Sequence, residues 1–219
     1  MSYLQAIKHS KSSHCQDFFI YEKFGKYWKN TDCLFIDVGA KDGIKASNTY
    51  FFEYYLGWNG ICFEPNPLSF FQCEKNRKGL VYPIGISKKE GPRDFFCNLT
   101  TPGASGIIEN YHPEHGSYAD YLKYKSSSNI IQIETVPLQK VLDLHGYTQI
   151  NLLDVDTEGG ELEILQTIDY KRVQIDVINV ENLFSKEPIR KYLRGKGFEL
   201  FHEFPWDDLF VHRTFLHAT

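Results

Sequence analysis

The sequence predicts an open α/β sheet, mostly parallel, with helices on both faces and an antiparallel C-terminal hairpin strand. Three observations predict it. In LFIDVGAKDG, residues 34–43, a short apolar run enters a turn holding Gly39 and Gly43, and a helical pattern follows from about Asn48. Strand, glycine turn and helix is how open α/β sheets bring backbone close to a small molecule at a strand's carboxyl end. The order β-α-β-α-β is then taken up again, after an insert, as β-α-β-α. Finally, GFELFHEFPWDDLFVHR reads as two strands joined at residues 205–208, a hairpin. A length of 219 residues fits one domain with a full core.

Taken in order, residues 1–13 are polar and expected to be loosely held. Over residues 14–28, Phe18, Phe19, Tyr21 and Phe24 recur at near-helical spacing and Gly25 closes the run. That is an amphipathic helix for the sheet edge or the mouth of a ligand site. The first strand covers 33–38. Ser47 or Asn48 can cap the next helix, whose apolar face is Tyr50, Phe51, Tyr54, Tyr55 and Leu56. The second strand, 61–64, is closed by Pro65 and Pro67. A helix over 68–77 leads to a third strand, 80–86, with Ser87 at its tip, where an adenine edge is often met.

Residues 91–128 break the rhythm and read as a long irregular substrate-side insert, a feature that is usually functional in a compact domain. Tyr111, Tyr118, Tyr121 and Tyr124 either wall a substrate cleft or form a surface cluster of their own. His112 and His115 spell H-x-x-H without the cysteine or acid pattern of a zinc site. A strand over 130–136 follows. Pro137 opens a helix to about 144, with Gly146 as its C-cap. Further on come a strand at 150–156, a TEGG turn, a helix at 161–168, a strand at 175–181 ending before Asn182, and a helix at 188–195.

Composition sets limits. Hydrophobic residues are 42% of the chain and aromatics 16%, which argues against disorder. The net charge of −4 offers no basic footprint, so nucleic acid is not an expected partner. No apolar run is long enough to span a membrane, and the N-terminus lacks an apolar signal core. Five cysteines with no C-x-x-C pair read as reduced thiols of a cytoplasmic protein.

The turn identifies a ligand class. Gly39 and Gly43 are spaced G-x-x-x-G, with Asp37 before them and Asp42 between. Carboxylates here repel a pyrophosphate and suit S-adenosylmethionine (SAM), with its amine and sulfonium. An ordinary βα turn with two solvated aspartates is the competing reading. Glu64, 21 residues beyond Gly43, stands where ribose hydroxyls are bound, or else favours the dipole of the following helix.

Four words lie in order along the chain: FIDVGAKDG, SNTYFFEYYLGWNGICFEPNP, LLDVDTEGGELEIL and VINVEN. Together they resemble the FkbM-type family of class I SAM-dependent methyltransferases, as does HCQDFFIYEKF upstream. The resemblance runs over roughly 14–200 and is poor across the insert. It implies a Rossmann-like sheet and SAM-dependent methylation of a hydroxyl, most often on a sugar or glycan, a deoxyhexose such as rhamnose among them. The family's glycine-loop positions fall on Asp37, Gly39, Asp42 and Gly43, its helix-opening pair on Ser47 and Asn48, and its ribose acid on Glu64. Its strand-4 acids fall on Asp156 and Glu158, either of which would serve as base, and Asp154 lies one pleat earlier on the same face.

In such a sheet the tips carrying Asp156, Glu181 and Asn182 are neighbours. They would form a hard oxygen site for Mg²⁺ on vicinal hydroxyls, with glutamate as a longer second ligand. A phenol or peptide acceptor, a NAD-dependent oxidoreductase on a similar sheet, and a non-catalytic SAM- or glycan-binding module remain the alternatives. The missing third glycine and Asp42 argue against NAD. Such domains often sit within larger glycan-assembling chains.

Overall fold

The computed structural model describes residues 8–28, 32–114, 116–126, 129–183 and 186–218. His115 of the H-x-x-H word and residues 1–7 lie outside them. The order is α1 (Gln16–Phe24), β1 (Leu34–Val38), α2 (Tyr50–Leu56), β2 (Asn59–Phe63), α3 (Pro67–Asn76), β3 (Leu80–Tyr82), β4 (Gly85–Ile86), β5 (Gly91–Phe96), β6 (Gly106–Ile107) and α4 (Gly116–Tyr124). There follow β7 (Ile130–Val136), α5 (Leu138–His145), β8 (Gln149–Val155), α6 (Glu161–Leu165), β9 (Gln174–Glu181), α7 (Lys186–Gly195), β10 (Phe198–Glu203), β11 (Asp207–His212) and α8 (Arg213–Ala218).

A seven-stranded sheet runs β10-β11-β9-β8-β1-β2-β3. β11 lies antiparallel between β9 and β10, and the other pairs are parallel. From β1 the chain moves outward through β2 to β3, then returns to lay β8 on the other flank. The topological switch therefore falls between β1 and β8, where such sheets open a crevice at their carboxyl ends. Register sets the crevice: Val38 stands opposite both Phe63 and Val155, so the residues after all three strands leave the sheet together.

Side-chain alternation builds the two layers. Leu34, Ile36 and Val38 join Leu142, Leu165 and Leu193 from α5, α6 and α7 on one face. Phe35 faces the other way, with Leu152 and Val177, into a layer holding Phe18 and Ile20 of α1 and Phe51 and Phe52 of α2. That second layer is dense in rings. Trp28 meets Trp58 edge-on at 5.0 Å and stacks on Phe215 at 5.6 Å.

Several expectations are revised. The strand expected over 80–86 is two pieces. Pro83, which has no N–H to donate, breaks the ladder, and β4 crosses into a second sheet of order β4-β7-β5-β6. The insert is accordingly not irregular throughout, because β5 pairs with β7 along its full length. The N-terminal segment is tied down from Ser10: the Ser10 hydroxyl and the Lys11 N–H both donate to Asp17, and Ser12 bridges to Ala46. The apolar face of α2 is rotated. Phe52 and Glu53 are buried, while Tyr54 is half exposed.

Candidate active site

The glycine turn is shaped by contacts that leave no space for side chains. The N–H groups of Gly39 and Ala40 both donate to the Phe63 carbonyl, at 3.0 and 3.1 Å, and the Asp156 N–H donates to the Val38 carbonyl at 2.9 Å. Gly39 has φ +98°, and a Cβ there would lie 1.8 Å from the Asp156 carbonyl oxygen. Only glycine lets β1 turn away this close to β8.

Beneath the turn lies a buried ion network. The Arg77 guanidinium donates to Glu53 at 2.6 Å, to the Gly43 carbonyl at 3.2 Å and to Asp37 at 3.5 Å, and it sits over the Phe35 ring. Thr49 donates its hydroxyl to Asp37 as well. Asp37 thus spends its charge inside the protein, supporting the turn from below. Asp42 accepts the N–H groups of Ile44 and Lys45, closing its own loop. The expectation that these two acids face the ligand is corrected: one pairs with Arg77 and the other accepts from local backbone. Ser47 is also structural, its hydroxyl capping Thr49 and Tyr50 and accepting from Arg77.

Above the turn, a cavity opens between the sheet's carboxyl edge and the insert. Gly39, Lys41, Glu64, Asp156, Thr157 and Glu158 line its polar side, and Ile84, Ile86, Phe95, Ile107 and Ile164 its apolar side. Glu64 is buried and accepts from the N–H groups of Lys41 and Asn66, both at 2.8 Å; burial pushes its carboxyl up to about 7. Each oxygen keeps a lone pair for a hydroxyl. Ser87 is not in the wall. It donates to Glu163 at 2.6 Å and accepts from Arg93 at 2.8 Å, so the surface suited to a flat base is the isoleucines before it. Pro102, Gly103, Ser105 and Asn110 roof the cavity.

A second cavity adjoins the first, and the two share Lys41, Asp156 and Glu158. Here the site acids meet. Carboxylate oxygens of Asp156, Glu158 and Glu181 lie within 4.8 Å of one another. Asn182 does not join them. Next to Glu181 on the strand, it points to the opposite face, where its amide donates to Asp208 at 2.6 Å. Asn48 faces this second cavity, not the first, and donates to Asp154 at 3.0 Å.

Lys41, inside the glycine turn, places its ammonium 3.6 Å from Asp156. Asp156 raises the pKa of this lysine, so it stays charged. Glu158 is pushed up to about 8, first by burial and then by Asp156, and Ser117 donates to it. Glu181 is raised for the same two reasons. The Glu158 backbone is left-handed, at φ +64°, a strained state for a side-chain-bearing residue. Glu161 holds it there by reaching back to accept from the N–H groups of Thr157 and Gly159, at 3.1 and 2.9 Å.

Lys41, Arg77 and Glu161 were missed in the sequence reading. The signal for Lys41 was present: it is the one basic residue between Gly39 and Gly43. The tyrosines of the insert settle the other way from a cleft wall. Tyr111 stacks on Tyr121 at 5.9 Å, Tyr118 lies 6.1 Å from Tyr121, and the Tyr111 hydroxyl donates to the Ala104 carbonyl. None of these rings lines either cavity.

Residues 37–200 match the model of the methyltransferase FkbM domain. The chain belongs to the FkbM methyltransferase family. Among solved structures it is similar to a methyltransferase FkbM from Methylobacillus flagellatus KT, at 12% identity and TM-score 0.49. The alignment covers 96% of this chain and 58% of that one. It is also similar to the N-terminal domain of human METTL16 in complex with S-adenosylhomocysteine, at 12% identity, 88% and 66% coverage and TM-score 0.44. A third is M. capricolum TrmK, also with S-adenosylhomocysteine, at 10% identity, 88% and 66% coverage and TM-score 0.39. The chain therefore spans well under two thirds of the length of the first of these. No curated protein matches it. No described helix is long and apolar enough to cross a membrane.

Proposed function

We propose that this FkbM-family enzyme methylates a hydroxyl oxygen of a sugar or glycan, with Glu158 as the base. The observation that carries the reading is the seam between the cavities, where Lys41, Asp156 and Glu158 belong to both walls. In the first cavity Glu64 would hold the ribose hydroxyls, Ile84 and Ile86 the adenine face, and the turn at Gly39 the amino-acid end. When bound, SAM supplies a methyl carbon on a sulfonium leaving group. The second cavity then presents the acceptor hydroxyl in line with that carbon, and alignment supplies much of the acceleration. Glu158 takes the hydroxyl proton on a carboxylate oxygen. Its raised pKa matches a base working near neutrality. Lys41 and Asp156 hold the local charge and orient the reacting oxygen.

Asp156 and Glu181 would hold Mg²⁺ beside the base, their neighbouring carboxylate oxygens being hard donors of the right kind. Bound there, the ion would lower the pKa of vicinal hydroxyls. Asn182 would take no part. Cys33, Cys62, Cys73 and Cys97 are buried as thiols, in keeping with a reducing, cytoplasmic setting. The experiment is transfer of label from SAM to a panel of deoxyhexose and glycan acceptors, with phenols and peptides alongside, with and without Mg²⁺. Label on a sugar oxygen supports the reading. Turnover confined to phenols or peptides would replace it.

A further inference from the structure

The rim of the second cavity carries an aromatic ring that methyl transfer itself does not use. Trp206 lines this cavity and is 52% exposed. None of the other exposed large apolar side chains described lines either cavity of the site. An indole left half in water forgoes stabilisation that burial would supply. The chain's other two tryptophans do not forgo it: Trp28 and Trp58 are buried, edge against face, in the layer of rings.

The exposure is built into the hairpin. Residues 204–206 join β10 to β11, and the Phe204 N–H donates to the Asp207 carbonyl at 2.8 Å, closing the turn. Phe204 and Asp207, on either side of the turn, are both buried. The Trp206 carbonyl accepts from the Asn182 N–H at 2.9 Å, and the His14 ring meets the indole at 82° with centroids 4.5 Å apart. The end of β9 and the approach to α1 thus hold Trp206 from two sides. A side chain already held in place loses little freedom when a ligand lies on it. Register ties it to the seam as well: the next residue, Asp207, stands opposite Glu181, whose carboxylate lies with those of Asp156 and Glu158.

Hydrogen-bond acceptors flank the ring. Asp207 accepts from Gln16 at 2.7 Å and from Asn179 at 3.2 Å, and Asp120 accepts from Asn98 at 3.1 Å. Each of these donors is a neutral amide, and a carboxylate has lone pairs beyond those that such bonds occupy. A flat, electron-rich face beside acceptors matches a ring with C–H groups on its face and hydroxyls around its edge. A phenol has one hydroxyl and would leave most of those acceptors dry. Building on the sugar-hydroxyl reading above, we propose that Trp206 is the platform on which a pyranose ring of the acceptor stacks, and that it sets acceptor specificity at the rim of the second cavity.

The test uses the indole as its own reporter, since Trp206 is exposed while Trp28 and Trp58 are buried. The S-adenosylhomocysteine-loaded enzyme is titrated with the methyl glycosides of rhamnose, fucose, glucose and galactose, and with 4-ethylphenol and N-acetyltyrosinamide. Tryptophan emission and its quenching by acrylamide are followed, with Trp206→Phe as the spectral reference. At least one glycoside should shield the emission in the wild type and give no such change in Trp206→Phe. For that glycoside Trp206→Ala should raise KM about tenfold and lower kcat far less, with S-adenosylhomocysteine affinity moved less than twofold. Trp206→Phe should recover most of the loss, and Trp206→Leu, apolar but not flat, should not. A glycoside bound and methylated equally well by Trp206→Ala would overturn the platform while leaving the sugar reading intact. Shielding and methylation confined to 4-ethylphenol or N-acetyltyrosinamide would overturn both. Shielding that grows with protein concentration in the absence of sugar would put a second copy of the chain on the ring, and this too would overturn the proposal, as would no shielding by any glycoside.

Discussion

Lys41→Met is the substitution that interrogates the seam most directly. Glu158 has its carboxyl pushed up to about 8 by burial and by Asp156, while the Ser117 hydrogen bond and then the Lys41 charge pull it back down. A base must be ionised to work, so activity rises with pH through this value. At pH 7 roughly one Glu158 in ten is ionised, and kcat/KM should therefore climb roughly tenfold between pH 7 and a plateau above about 9. Removing the ammonium, which stands 3.6 Å from Asp156, should move the midpoint up by about 1 pH unit. Asp156→Asn removes the repelling charge and should move it down. Glu158→Gln should cost about 10²- to 10⁴-fold and leave little pH dependence. The assay is initial-rate transfer of labelled methyl at saturating SAM, from pH 6 to 10, with protein integrity checked at each end. A flat wild-type profile, or a midpoint that falls in Lys41→Met, would refute the assignment of Glu158.

Gly39→Ala combines a left-handed backbone with a collision against the Asp156 carbonyl. It should lose about 2–6 kcal/mol, read by urea unfolding, and a loss under ~1 kcal/mol would contradict the close approach of β1 and β8. Arg77→Met strands Asp37 and Glu53 in the interior and should lose about 3–5 kcal/mol, part of it recovered on adding Asp37→Asn and Glu53→Gln. Ser87→Ala removes hydrogen bonds to Glu163 and Arg93 but no cavity wall. Stability should fall by about 1 kcal/mol while affinity for S-adenosylhomocysteine, measured calorimetrically, stays within twofold.

Hydrophobic rhythm and turn chemistry made the main sheet legible, because each strand's apolar run is set by burial on both faces. Gly39 and Gly43 were legible for the same reason: a turn this tight leaves few residue choices. Partners of charged groups were not, since a carboxylate next to a glycine turn looks alike whether it faces a ligand or an arginine 40 residues away. Asp37 with Arg77 is that case. Asn182 failed for a simpler reason. It adjoins Glu181 in sequence, and the pleat sends neighbours to opposite faces. The insert hid its order because β5 finds its partner β7 beyond the irregular residues, a pairing invisible to local pattern.

The insert from Pro102 to Asp120 walls both chambers: Pro102, Gly103, Ser105 and Asn110 over one, Ala104, Gly116, Ser117 and Asp120 beside the other. A lineage exploring new acceptors through this segment would disturb its hold on the methyl donor with almost every step. Ser13, Gln16, Trp206 and Asp207, joined by the hydrogen bond from Gln16 to Asp207, border the second chamber alone. That peripheral strip is where diversity can accumulate cheaply, and where a search for altered specificity would best begin.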